Sequence, residues 1–496
     1  MSKTWEELKE RLAEARALEE AMILFEWDNE TLAPPAAMDQ TARTVERLSG
    51  TYFKLMTDKR LRELLDACES QSLDEDQQAI LRAAKKKREE LVKLPKEEYE
   101  AYTGLTARAS SVWAKAREAE DFSQFAPVLE EILSYKKKFA ACKAKEGQEL
   151  YDVMLDDFEE GFSMEKLDRF FDLLKQELVP LLRKIRETGE RIPAGFLKGD
   201  YPEDKQEELA RFLAEYVGFD FDRGVMAVSA HPFTTALHNH DVRLTTHYDS
   251  WVDHSLFSVI HESGHGIYEQ GISDSLSQTA AGEGTSMGMH ESQSRFFENM
   301  IGRNRAFWEP VYPKLQELFP SQLKDVSLED FYRAINRVEP GPIRIEADEL
   351  TYSLHIMVRY ELEKALVAGE ISVQELPERW AEKYEGYLGI RPETVSQGVL
   401  QDIHWSQGSI GYFPSYALGS AFAAQIYAHM ETEMDMEGLM RAGRLEVIRD
   451  YLRERIHRYG KGKDSRTLLK EMTGKEFEPA CYVEYLKKKF GRIYGV

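Results

Sequence analysis

Apolar positions recur at helical spacing through most of this chain, and the pattern predicts a mostly α protein. The first 190 residues read as a series of long helices. One opens on a capping box of Thr4 with Glu7 and keeps its period to about Phe25, before Pro34-Pro35 breaks the run. Another opens on Ser72 with Glu75, passes through Lys85-Lys86-Lys87-Arg88 and ends near Pro95. Because Glu89, Glu90, Glu97 and Glu98 follow it, the lysine run is expected to be a solvated helix face. Gly199 to Asp204 reads as a turn, and from Gly224 to Tyr248 the pattern shortens to strands. Asp241-Val242-Arg243-Leu244-Thr245-Thr246 alternates as a half-buried strand does, so a small antiparallel sheet is expected there. Helices then resume, with Gly-rich interruptions at Gly282 to Gly288 and at Gly408 to Gly419. No Pro/Gly/Ser linker and no fixed repeat divides the chain, which predicts a single catalytic domain over 1–496, built as two helical lobes around a groove.

Charge and cysteine content narrow the setting. The 65 basic and 88 acidic residues give a formal net charge of −23, which disfavours nucleic acid and anionic membrane as partners because both are polyanions. Cys68, Cys142 and Cys481 are widely separated and odd in number, so a disulfide framework is not expected and a reducing compartment fits. Met1 to Glu20 is charged throughout, and no window approaches the roughly 20 apolar residues that span a bilayer, so a cytoplasmic location is expected.

The chemistry concentrates in His261-Glu262-Ser263-Gly264-His265, an H-E-x-x-H pattern. It follows Leu256, Phe257, Val259 and Ile260, spaced for a helix that enters a core. On a helix, positions i and i+4 share a face, so both imidazoles can meet one zinc ion while Glu262 stands about 100° round the axis. A carboxylate there can act as general base on a water acidified by the ion. Gly264 inside a helix costs about 1 kcal/mol relative to alanine, which is understandable if another element packs closely there. Two phosphate-loop readings fail: Gly282-x-Gly284 lacks the strand-to-helix setting, and Gly462-Lys463 is followed by Asp464.

A catalytic zinc site keeps three protein ligands and one open position. Glu291, in Met289-His290-Glu291-Ser292-Gln293-Ser294-Arg295, is the candidate third ligand. Glu283, His290 and Glu298 are rivals, and Glu291 could instead pair with Arg295. At this point the chain resembles the carboxypeptidase Taq family. The segments His231-Pro232-Phe233, Asp241-x-Arg243-x-Thr245, His261-Glu262-x-x-His265, His290-Glu291-Ser292-Gln293, Ile343-Arg344-x-x-Ala347-Asp348 and Gly398-x-x-Gln401-Asp402-x-His404-Trp405 all stand in the family's order. The resemblance implies a neurolysin-like helical fold with a deep groove and a homodimer. It implies His261, His265 and Glu291 as ligands of zinc or cobalt, Glu262 as general base, and stepwise removal of C-terminal residues with broad specificity.

Removing a C-terminal residue requires a cation for the free carboxylate of the peptide, and arginine's planar fork suits it. Arg344 is the first candidate, with a buried pair to Glu346, Asp348 or Glu349 as its alternative, and Arg243 is the reserve. His404, Tyr412 and Tyr416 are candidate donors to a tetrahedral oxyanion, and His231 could hold substrate backbone. Asp241, Arg243 and Thr245 otherwise read as scaffold, and Tyr412 and Tyr416 as aromatic packing. Two further readings compete: an endo-oligopeptidase or peptidyl dipeptidase with the same site, and a peptide-binding scaffold with a structural metal. None of the three cysteines lies near the motif to close such a structural site.

Overall fold

The computed structural model describes residues 2–93, 95–229 and 231–496. Helices dominate, and their ends follow the expected breakers more closely than the expected caps. The first helix, Lys3–Thr31, is capped by Ser2, whose Oγ accepts a bond from Trp5 N at 3.1 Å. Thr4 is therefore already helical, and Glu7, its expected capping partner, is held by Arg60 Nε and Nη2 at 2.8 and 2.6 Å. The helix extends past Phe25 and stops just ahead of Pro34-Pro35. The helix Glu75–Val92 begins with a reciprocal Asp74/Gln77 box rather than Ser72/Glu75. Gln77 N donates to Asp74 Oδ1 at 2.8 Å, and Asp74 N donates to Gln77 Oε1 at 3.2 Å. Its lysine run is not a bare solvated face, since Lys85 pairs with Glu69 and Lys87 with Glu19.

Two compact units emerge. The first comprises Met1–Val92, Pro193–Ile335 and Ile426–Phe477, and the second Lys93–Ile192, Asn336–Gln425 and Glu478–Val496.

The first unit contains a three-stranded sheet of β1 (Gly224–Val228), β2 (Thr234–His238) and β3 (Asp241–Thr246), in the order β1-β3-β2. β2 and β3 form the expected antiparallel hairpin through a turn at Asn239 and His240, but β1 lies parallel to β3, so the sheet is mixed. The short hairpin leaves the far side of β3 open, and β1 takes it. Asp241 and Arg243 form a bidentate pair, both contacts at 2.8 Å, with the guanidinium over Trp27. Thr245 Oγ1 accepts bonds from Phe233 N at 2.9 Å and Ser229 Oγ at 2.7 Å. Thr245 of the D-x-R-x-T segment thus braces Phe233 of the His-Pro-Phe segment.

The second unit is helical around the buried Glu363 of the helix Tyr352–Ala368. Its carboxylate accepts Trp405 Nε1 at 2.7 Å, Tyr151 Oη at 2.7 Å and Gly411 N at 2.8 Å. Those bonds pin a long irregular stretch that ends at Pro414, where the helix Pro414–Glu433 begins. Gly419 therefore lies inside a helix and not in the predicted interruption. It stands next to the buried Leu418, Ser420 and Ala421, and small residues at such positions allow close packing.

Candidate active site

The helix Val252–Gly271 carries the H-E-x-x-H motif through the first unit. Val252, Leu256, Phe257, Val259, Ile260, Ile267 and Tyr268 are buried on it, which gives the motif side chains a rigid base. The next helix, Met287–Arg295, starts at a Ser286 cap and brings Glu291 against it. A Cβ at Gly264 would stand 2.7 Å from Gln293 O and Ser294 Cα, so the two backbones touch where sequence asked for close packing.

His261, His265 and Glu291 converge, with their ligand atoms all within 4.8 Å of one another. Glu291 Oε2 lies 3.6 Å from His261 Nε2 and 3.5 Å from His265 Nε2. The other oxygen, Oε1, accepts Arg295 Nε at 2.7 Å, and Ser294 Oγ donates to Oε2 at 3.1 Å. Glu291 thus faces both imidazoles with one oxygen and pairs with Arg295 through the other. Two imidazole nitrogens and one carboxylate oxygen at this spacing suit zinc or cobalt.

The rivals for third ligand stand behind the trio or away from it. Glu298, in the π-helical turn Phe296–Gly302, places Oε2 2.8 Å from His261 Nδ1 and is itself bound by Arg295 and Arg303. His290 Nδ1 lies 2.6 Å from His265 Nδ1, and His290 Nε2 lies 2.8 Å from Glu269 Oε1. Such outer partners fix ring orientation and tautomer and raise ligand basicity. Glu283 pairs with Arg16 and Lys461, both at 2.5 Å, and belongs to a different contact. Sequence reasoning missed Glu269 and Arg303 altogether, since nothing local marks a residue that acts through another.

Glu262 is 7% exposed, and Thr234 of β2 donates to its Oε2 at 2.6 Å. Burial pushes the Glu262 carboxyl up, with His261 and the Thr234 bond opposing, in the direction a general base near neutral pH needs. Burial also opposes charge at Glu291, but Arg295 and His261 hold it well below the usual carboxylate range. Burial lowers His265 to about 3, which keeps the imidazole neutral as a metal ligand must be. Thr234 was the other omission, a β-strand hydroxyl with no motif of its own.

The second unit holds His404, Tyr412, Tyr416 and Arg344, while His231 and Arg243 belong to the first. His404 Nε2 lies 3.0 Å from Tyr416 Oη, and the ring of Tyr412 packs edge-on to Tyr416 at 5.1 Å. Burial, with Arg344 nearby, lowers His404 to about 3. Arg344 is 6% exposed, and its buried partner is Asp402, not Glu346, Asp348 or Glu349. Asp348 is taken up by backbone amides of Glu339, Leu350 and Thr351, and Glu349 by Lys489 at 2.5 Å. Asp402 also binds Arg359, so two guanidiniums share one carboxylate, and the Arg344 guanidinium lies 4.9 Å from the Tyr416 ring centre. His231 is exposed, with its carbonyl accepting Ser229 Oγ at 2.7 Å.

Two imidazoles and a carboxylate converging beside a buried glutamate, on a helical fold with one small sheet, define a metallopeptidase-type centre. The chain belongs to the carboxypeptidase Taq family: residues 7–490 match the family described as Carboxypeptidase Taq (M32) metallopeptidase. It is similar to carboxypeptidase 1 of Bacillus subtilis, at 42% identity over 479 residues that cover 96% of this chain and 95% of that protein. Thermostable carboxypeptidase 1 of Thermus thermophilus shares 38% identity over 486 residues, 95% of each chain. The solved structure of the M32 carboxypeptidase from Deinococcus radiodurans R1 aligns with a TM-score of 0.97 at 34% identity, covering 100% of both chains. The protein is thus a metallocarboxypeptidase, a peptide hydrolase. Among the described residues, no helix is long and apolar enough to cross a membrane.

Proposed function

We propose that this enzyme releases single amino acids from the C-terminus of peptides with broad specificity, using zinc, or cobalt in its place, held by His261, His265 and Glu291. The observation that carries this reading is the convergence of those three side chains beside the buried Glu262. When bound, the ion supplies Lewis-acid activation of water and of the scissile carbonyl. Glu262, oriented by Thr234, takes the proton of the attacking water and passes it to the leaving amine. His404, Tyr412 and Tyr416 are the donors for the developing oxyanion. Arg344 binds the peptide's terminal carboxylate: Arg344 and Arg359 against the single Asp402 leave one positive charge over, which a substrate carboxylate can match. His231 holds substrate backbone, and Arg243 is the reserve cation for the terminal carboxylate. One catalytic domain over 1–496, a homodimer and a cytoplasmic setting complete the reading; matches that run almost the full length of the relatives support the first of these.

The test is mass spectrometry of products from one peptide as free acid and as C-terminal amide, with zinc-loaded protein and Glu262→Gln as control. Stepwise loss of single residues from the free acid alone, absent in the variant, is expected. Internal cuts in both forms would replace this reading with an endo-oligopeptidase.

A further inference from the structure

A second cluster of metal-ligand type lies outside the centre just described, where β3 turns into the motif helix. His247 directly follows β3, Asp249 precedes the helix, and His254 stands in its first turn. Their ligand atoms also all lie within 4.8 Å of one another. Asp249 Oδ2 is 3.0 Å from His254 Nδ1 and 3.6 Å from His247 Nε2. The catalytic trio has carboxylate-to-imidazole distances of 3.5 and 3.6 Å, so one contact of the second cluster matches that spacing and the other, at 3.0 Å, is shorter. Ligands about 2.1 Å from a common ion stand about 3.0 to 3.4 Å apart at octahedral or tetrahedral angles, and both clusters lie close to that range.

We propose that His247, Asp249 and His254 form an auxiliary site for a divalent transition-metal ion, with zinc the preferred occupant. The carboxylate is held in place from its other side, because Trp251 N donates to Asp249 Oδ1 at 2.5 Å. The His254 ring is held as well, stacked on Trp251 with centroids 5.9 Å apart and an interplanar angle of 21°. The three side chains are 34%, 36% and 38% exposed, so a bound ion would fill its remaining positions with water. Two imidazoles with one carboxylate suit zinc, cobalt or nickel, whereas magnesium and calcium select sets of oxygen ligands. Binding should be weaker than at the catalytic centre, because only that centre is buried and backed by outer carboxylates such as Glu298.

Placement also sets what the ion can do. His254 precedes His261 by seven residues, about 10 Å along a helix, which is too far for a bridged two-metal centre with ions about 4 Å apart. The site is therefore a brace joining the end of β3 to the start of the motif helix, and it binds independently of catalysis. An ion that binds only the folded chain stabilises it by mass action.

The experiment uses the full-length protein, stripped with chelator and dialysed against micromolar zinc, with bound metal counted by elemental analysis and melting followed by circular dichroism. Wild type is expected to take up a second equivalent of zinc beyond the catalytic one. His261→Ala/His265→Ala should retain one equivalent and melt at a higher temperature with zinc than without. His247→Asn and His254→Asn, which keep side-chain polarity, should each lose the second equivalent in otherwise wild-type protein while their helical signal is unchanged. Saturation of wild type at one equivalent would overturn the site, as would a second equivalent that survives both substitutions. Equal uptake of magnesium at this position would overturn the donor argument. None of these readouts depends on peptide cleavage, so the site can fail without the proposed function failing, and the reverse.

Discussion

Gly264 meets the backbone of Gln293 with no room for a side chain: a Cβ at position 264 would lie 2.7 Å from the Gln293 carbonyl oxygen. The contact sits one residue before His265 and two residues after Glu291, so it sets the distance between the motif helix and the helix that carries Glu291. Gly264→Ala should gain up to about 1 kcal/mol in helix propensity. Separating two packed backbones should cost about 1 to 3 kcal/mol and should also weaken metal binding. Thermal denaturation and chelator competition are the measurements. Unchanged metal affinity in the variant would show that the contact does not position Glu291.

Glu298 should control metal affinity without being a ligand. Its carboxylate stands 2.8 Å from His261 Nδ1 and is bound by Arg295 and Arg303. Replacing such an outer partner lowers metal affinity about 10- to 100-fold. Glu298→Gln is expected to fall in that range in a competition titration with a fluorescent zinc chelator, with the stoichiometry of the catalytic site unchanged. Wild-type affinity would show that the His261 ring is fixed by packing alone.

Asp402 should matter more for stability than its acidic neighbours. It is the buried counter-charge for both Arg344 and Arg359, and Arg359 is fully buried. Removing the shared partner of buried charges costs about 3 to 5 kcal/mol. Asp402→Asn should show that loss in urea unfolding, while Arg344→Gln, which leaves Asp402 paired with Arg359, should lose less stability and act mainly by raising KM for free-acid peptides. Equal stability losses in the two variants would contradict the shared-carboxylate arrangement.

Acid should destabilise the protein through its buried histidines. Burial lowers His404 and His457 to about 3 and puts His355 well below its ordinary value. Their unfolded-state pKa is about 6.5, so the unfolded chain binds more protons than the folded one below that pH. Stability is therefore fully present above about 6.5 and falls as pH drops toward about 3. Urea unfolding of metal-free protein across this range should show the decline, and NMR should find the His404 ring neutral at pH 6. A His404 that titrates near 6.5 would show that its surroundings and Arg344 do not hold it neutral.

The sequence by itself determined the elements and the central chemistry. Helical periodicity, proline breaks and the alternation of Asp241–Thr246 are local properties, so the helical class and β3 were legible without tertiary information. The i, i+4 spacing of His261 and His265 is likewise local, because one helix fixes both directions. The glycine between them carried long-range information, since an interior glycine costs stability unless something packs against it, and Gln293 does. Helix caps were less legible: Thr4 with Glu7 and Ser72 with Glu75 satisfied the pattern, but Arg60 claimed Glu7, and Asp74 capped two residues nearer its helix.

Only the tertiary structure shows which atoms of Glu291, His290 and Glu298 face the motif imidazoles, Glu291 at both Nε2 atoms and the other two at Nδ1, and that Glu283 pairs elsewhere. All four are ordinary acid or imidazole side chains within reach of the motif in sequence, and what distinguishes them is which atom faces which across the helices. The same holds for Asp402 as partner of Arg344, for β1 lying parallel to β3, and for Thr234 beside Glu262. Each is a contact between segments distant along the chain, and no local pattern encodes it because its energy comes from burial and pairing that exist only once those segments have packed.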